Sequence, residues 1–122
     1  MNLRENIKTS EKQKIISTIC KIRLRLVAQY ANYWRDKRGH VIDFVLPDKK
    51  NKPVAIECKW RSSDFDPSGF KAFRRHYSSG KRFVVTQDID RSYKRNCGEI
   101  EVTFVILQGL FKQLSDAGVP YL

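Results

Sequence analysis

Hydrophobic residues recur at helical spacing from the start of the chain. Ile15, Ile19, Ile22 and Leu26 fall three or four positions apart, Leu3 and Ile7 begin a similar stripe, and no Pro or Gly interrupts residues 1–28. The pattern predicts a basic N-terminal helix whose end is left open, because Ile22, Leu24 and Leu26 also alternate as in a strand. From about Gln29 the period changes. Tyr30, Ala31, Tyr33 and Trp34 form an aromatic segment of strand type. Asp36-Lys37-Arg38-Gly39 reads as a turn in which Gly39 takes positive φ. Residues 41–46 and 54–60 predict two further strands. The charged loop 47–53 between them makes antiparallel neighbours the simplest arrangement.

After a polar stretch, Pro67 opens a helix in which Phe70, Phe73 and Tyr77 share one face, and Ser78-Ser79-Gly80 closes it. Residues 82–86 predict a fourth strand, 88–98 a polar loop, 100–106 another strand and 107–114 a short closing helix. The order α-β-β-β-α-β, then a further strand and a short helix, predicts an α/β fold with a mixed β-sheet flanked by helices. No repeat or linker divides the chain, so residues 1–122 are expected to form a single domain.

Composition adds a class of partner. The 122 residues carry 24 Lys+Arg against 13 Asp+Glu, a formal net charge of +11, which favours a polyanion and most simply nucleic acid. A hydrophobic fraction of 41% with seven Phe excludes a disordered chain. Cys20, Cys58 and Cys97 are widely spaced and form no CxxC pair, which fits buried thiols in a reducing compartment better than a disulfide framework. The N-terminus lacks the apolar region of a signal peptide, and no apolar run approaches the ~20 residues of a membrane span. The expectation is a cytoplasmic protein with no membrane partner.

The strands carry the candidate chemistry. Alternate residues of a strand face opposite sides, so Val54, Ile56, Cys58 and Trp60 share one face and Ala55, Glu57 and Lys59 the other. By the same rule Ile42, Phe44 and Leu46 oppose Val41, Asp43 and Val45. Asp43, Glu57 and Lys59 are thereby expected to meet on one side of a hairpin. Charges on central strands are costly unless paired, hydrated or bound to metal. Two carboxylates suit a hard cation such as Mg²⁺, with Mn²⁺ as a substitute. Such an ion activates water and stabilises charge on a phosphate, and Lys59 is placed to orient the water or stabilise the transition state. Spacing alone leaves a second reading open: a solvated strand face on which Glu57 and Lys59 form a surface pair of small worth.

Asp43, then thirteen intervening residues, then Glu57-Cys58-Lys59 on adjacent strands behind an N-terminal helix resembles the PD-(D/E)XK nuclease core. A closer resemblance is to a C-terminal nuclease-like domain of unknown function found in prokaryotic AAA-type ATPases. It is carried by Tyr33-Trp34-Arg35-Asp36, by Gly39-His40-Val41-Ile42-Asp43-Phe44-Val45, by Val54-Ala55-Ile56-Glu57-Cys58-Lys59, by Phe70-Lys71-Ala72-Phe73 and by Phe83-Val84-Val85-Thr86. The resemblance implies a restriction-endonuclease-like fold. It further implies a metal site at Asp43 and Glu57, Lys59 as the catalytic lysine, and Glu5 of Leu3-Arg4-Glu5-Asn6 as a fourth acidic residue. Val41 stands where the family pattern commonly has an acid. The chain contains no GxxxxGK[ST] phosphate loop, so association with an AAA-type ATPase is implied rather than ATPase activity. Many nucleases of this fold act as homodimers, which extends to a homodimer here.

The segment from Lys71 to Gln87 contains Lys71, Arg74, Arg75, Lys81 and Arg82 and no acid. It is the candidate nucleic-acid-binding rim, set against the alternative of a solvated helix face. Lys49, Lys50 and Lys52 of the hairpin loop and Arg91, Lys94 and Arg95 of the later loop are weaker candidates. His40 reads as a turn residue, and Trp34 and Trp60 as core. The resulting expectation is a Mg²⁺-dependent DNA endonuclease, a phosphodiester hydrolase. The alternative is a catalytically silent DNA-binding module built on the same ATPase-associated nuclease fold.

Overall fold

Among the described residues the alternating segments build a six-stranded mixed sheet. The structure, a computed structural model, describes residues 32–46 and 52–116, together with positions 11, 14, 15, 18, 19 and 22. Those six early positions are helical and exposed. Glu5, Cys20, Lys49 and Lys50 lie outside the described residues.

In chain order the strands are β1 (Asn32–Arg35), β2 (Val41–Leu46), β3 (Val54–Cys58), β4 (Arg82–Val85), β5 (Tyr93–Cys97) and β6 (Ile100–Val105). Helix α1 (Ser68–Arg74) joins β3 to β4, and helix α2 (Leu107–Asp116) follows β6. The strand order across the sheet is β1-β2-β3-β4-β6-β5. The first three strands form an antiparallel meander. β3, β4 and β6 run parallel, and β5 pairs antiparallel with β6 at the edge. A parallel β3–β4 pair requires a crossover, which α1 provides.

The turn before β2 forms as its sequence suggests. Gly39 has φ 89°, and its N–H donates to the Asp36 carbonyl at 3.3 Å. One expectation is overturned. Residues 93–97 are not loop but the edge strand β5, closed onto β6 by the two-residue turn Gly98-Glu99. Its side chains are exposed apart from the half-buried Cys97, so the strand lacks the apolar alternation that marks its neighbours.

β3 is buried along its whole length because the sheet carries a helix on each face. On one face Phe70 and Phe73 of α1 pack with Phe65, Ala55, Val84, Val102 and Phe104. On the other, Leu110 and Leu114 of α2 pack with Phe44, Leu46, Val54, Ile56, Phe83 and Val105. Trp34 meets Phe73 edge-on at 5.2 Å, and Trp60 packs against the α2-side core; both are half-buried at the margins of the cores rather than inside them. Cys58 and Cys97 form no disulfide among the described residues. Among the described residues no helix is long and apolar enough to cross a membrane.

Candidate active site

The site begins with an irregularity in β2. Asn32 lies opposite Val45, but Trp34 lies opposite Ile42, so three steps along β2 face two along β1. The extra residue is a β-bulge at Asp43-Phe44. It breaks the strict alternation expected of this strand. Ile42 packs in the α1-side core, whereas Phe44 and Leu46 pack in the α2-side core. A bulge bends its strand and re-aims a side chain. Here the Asp43 Oδ2 accepts the backbone N–H of Cys58 at 2.9 Å, tying the bulge across to the end of β3.

Glu57, the neighbour of Cys58, is buried at 7% exposure. No hydrogen bond or ion pair reaches its carboxylate among the described residues. Burial, reinforced by the Asp43 charge and opposed by Lys59, pushes the Glu57 carboxyl up to about 8. Burial also raises Asp43, against the Cys58 hydrogen bond and the Lys59 charge. The structure therefore brings Asp43, Glu57 and Lys59 into one electrostatic neighbourhood. Lys59 is fixed at its backbone, where its N–H donates to the Val85 carbonyl at 2.8 Å.

The start of α1 closes this neighbourhood. A Cβ at Gly69 would lie 2.9 Å from the Val41 carbonyl oxygen and 3.0 Å from Glu57 Oε1, so only glycine lets the helix come this close to the two strands. Asp66 accepts the Ser68 N–H at 2.9 Å at the helix start. Hydrogen bonds from Ser68 hold the Asp66 carboxyl below its usual range, against some desolvation, with Lys59 and His40 adding to the effect. Asp66 in turn adds to the negative field on Glu57. The sequence reading misses Asp66, although an Asp just before Pro-Ser-Gly at a helix start is a recognisable capping signal. It also misses the partner of His40, whose ring Nδ1 lies 2.7 Å from Asp36 Oδ2. Desolvation raises Asp36, but the hydrogen bonds from His40 outweigh it and leave the carboxyl lowered.

The candidate rim residues separate into two groups. Lys71, Arg74 and Arg75 line one surface groove with Ser78, Gly98, Glu99 and Ile100. Lys81 and Arg82 sit at the start of β4 instead. Arg82 is half-buried, its Nη1 donating to the Gly80 carbonyl at 3.3 Å, while its buried Nε finds no hydrogen-bond partner among the described residues. Arg95 lies over Phe104 at 4.6 Å from the ring centroid, a cation–π contact that uses the guanidinium to cover the core edge. Lys94 is 3.5 Å from Glu101. Glu5, the implied fourth acid, lies outside the described residues.

Among the described residues no group of three or more His, Cys, Asp or Glu side chains is placed to hold a metal ion. Among the described residues Asp43 and Glu57 are the carboxylates carried by the strands, with Asp66 acting on Glu57 from the helix start. A family profile described as a domain of unknown function, DUF4143, matches residues 13–111, most of the chain and every strand of the sheet. No curated protein matches the chain.

Proposed function

We propose that this chain, which belongs to the DUF4143 family of domains of unknown function, is a PD-(D/E)XK-type nuclease-like domain that hydrolyses phosphodiester bonds in DNA. The observation that carries this reading is the pairing of half-buried Asp43, tied to the Cys58 N–H, with buried Glu57 at the junction of β2 and β3, with Lys59 acting on both. The donor set suits a hard divalent cation. Two carboxylates made reluctant to ionise by burial, Glu57 further by the Asp43 charge, gain a compensating charge when Mg²⁺ or Mn²⁺ binds. Asp43 and Glu57 would hold that ion, with Glu5 as the further acid that the resemblance implies. A bound ion of this kind supplies a water of lowered pKa and stabilises charge on the phosphoryl oxygens.

The protein's own groups do the rest. The Cys58 N–H fixes the Asp43 carboxylate. Gly69 lets the start of α1 approach the Val41 carbonyl and the Glu57 carboxylate closely. Lys59 orients the attacking water and offsets negative charge as it develops on the phosphate. An AAA-type ATPase and a second copy of the chain are the proposed protein partners.

Incubation with duplex, nicked, branched and single-stranded DNA in Mg²⁺ or Mn²⁺ tests the reading. Cleavage by the parent is expected, and Lys59→Ala should slow it by ~10²-fold or more. Undiminished cleavage by Lys59→Ala would sink the catalytic assignment. A second reading, a catalytically silent DNA-binding module, is favoured by the want of a third metal-ligating side chain beside the pair among the described residues. It predicts salt-sensitive DNA binding with no turnover in either metal.

A further inference from the structure

Two surface grooves flank α1 and meet at one residue. The first, about 530 Å³, runs between Lys71, Arg74 and Arg75 and the Gly98-Glu99 turn of the β5–β6 hairpin. The second, about 550 Å³, runs between Arg75 and the Arg35, Lys37 and Arg38 side of the β1–β2 turn. Arg75, just past the end of α1, borders both. Six cationic side chains therefore line a path that crosses the C-terminal end of α1.

The acids on this path are already engaged. Asp36 accepts N–H groups from Arg38 and His40 and the His40 ring. Glu99 pairs with Arg74 at 2.6 Å, its side chain 80% exposed and that of Arg74 39% exposed. Among the described residues Arg35, Lys37, Arg38, Lys71 and Arg75 make no ion pair. A row of unpaired like charges repels itself, and a polyanion laid along it relieves that repulsion. Arg74 already grips an oxyanion, and an exposed pair of this kind is readily exchanged for a phosphate.

We propose that the two grooves form one continuous track for the phosphodiester backbone of nucleic acid, crossing α1 at Arg75, with Glu99 standing in for a phosphate on Arg74. The proposal rests on the nucleic-acid reading above but not on catalysis, because Gly69, not Arg75, is the end of α1 that touches Glu57. It assigns binding to Arg35, Lys37 and Arg38, which lie outside the acid-free segment.

The test is binding without metal, so that cleavage plays no part. Fluorescence anisotropy with labelled duplex DNA, single-stranded DNA and single-stranded RNA is measured across a salt series. Arg38→Gln with Arg75→Gln should weaken binding by about tenfold or more and lower the slope of log K against log salt by about two. Glu99→Gln should tighten it. The charge-matched control Arg61→Gln with Lys112→Gln lies outside both grooves and should change binding far less. Thermal melts of all variants establish that each is folded.

Equal losses in the track and control variants would overturn the proposal, because net charge alone would then explain binding. Equal affinity for polyglutamate would overturn nucleic acid as the ligand. If the parent binds none of the three nucleic acids, the track and the nucleic-acid reading fall together. Intact binding without cleavage removes only the catalytic reading.

Discussion

Glu57 is a carboxyl group that the fold makes weakly acidic. In the unfolded chain it ionises near its ordinary value, whereas in the folded protein it keeps its proton up to about 8, through burial first and then the Asp43 charge. The folded state thus binds the extra proton. Its advantage is complete below the ordinary glutamate pKa and is lost as pH rises through about 8. Glu57→Gln removes that dependence. Its melting temperature should match the parent near pH 4 and exceed it by a growing margin up to pH 9, equivalent to several kcal/mol at ~1.4 kcal/mol per pKa unit. A constant margin across thermal melts at pH 4, 6.5 and 9 would show that burial does not set the Glu57 proton affinity. At pH 8, Mn²⁺ should raise the melting temperature of the parent and not that of Asp43→Asn. Alternation in the sequence suggests the nearness of Asp43, Glu57 and Lys59, although β3 ends at Cys58 and the bulge interrupts the alternation of β2. The reason Asp43 points where it does is not legible there, because a bulge depends on the register of β1 against β2 rather than on β2 alone.

At the scale of elements, glycines separate backbone freedom from close approach. Gly39 has nothing within 4 Å of its missing Cβ but takes φ +89°. Gly39→Ala should therefore cost only the left-handed penalty, ~1–2 kcal/mol, and Gly39→Asn less. Gly69 is the opposite case, helical in conformation and pressed against the Val41 carbonyl and Glu57. Gly69→Ala must move α1 off the sheet, so we expect ~1–3 kcal/mol of destabilisation in denaturant unfolding together with lost metal response. A Gly69→Ala protein with parental stability and metal response would mean that α1 does not close the site. A Cβ at Gly80 would overlap the Pro53 carbonyl oxygen, so that glycine too is fixed by packing. The strands with apolar alternation are legible in the sequence, whereas β5 is not. An edge strand pairs on one side only, and Tyr93-Lys94-Arg95-Asn96 holds its place through backbone bonds, Tyr93 stacking on Phe104 at 4.9 Å, and the Arg95 contact. The available signal is Gly98-Glu99, a two-residue turn led by a left-handed glycine at φ 65°.

For the whole molecule, one sheet divides two cores, and each core is needed. Phe70 is fully buried and packs 5.5 Å from Phe65, centroid to centroid. Phe70→Ala should cost ~3–5 kcal/mol, a large part of the ~5–15 kcal/mol that holds a domain together. The shift in urea midpoint measures it, and a loss below ~1 kcal/mol would mean that the α1-side core contributes little. The net charge of +11 is legible at a glance but says nothing of place. Only the pairing of β1 with β2, and of the β5–β6 turn with α1, brings Arg35, Lys37 and Arg38 onto a path with Lys71, Arg74 and Arg75. The position of β6 has a consequence for how the protein is made. β6 is the last of the described strands yet lies between β4 and β5. While the ribosome is still adding residues 86–99, Phe83, Val84 and Val85 present a bare apolar edge, since their partners Thr103, Phe104 and Val105 do not yet exist. Such an edge templates pairing with other chains. The polar β5, made first, cannot cover it. A nascent chain of this protein therefore needs protection until its final strand has emerged and slid into the middle of the sheet.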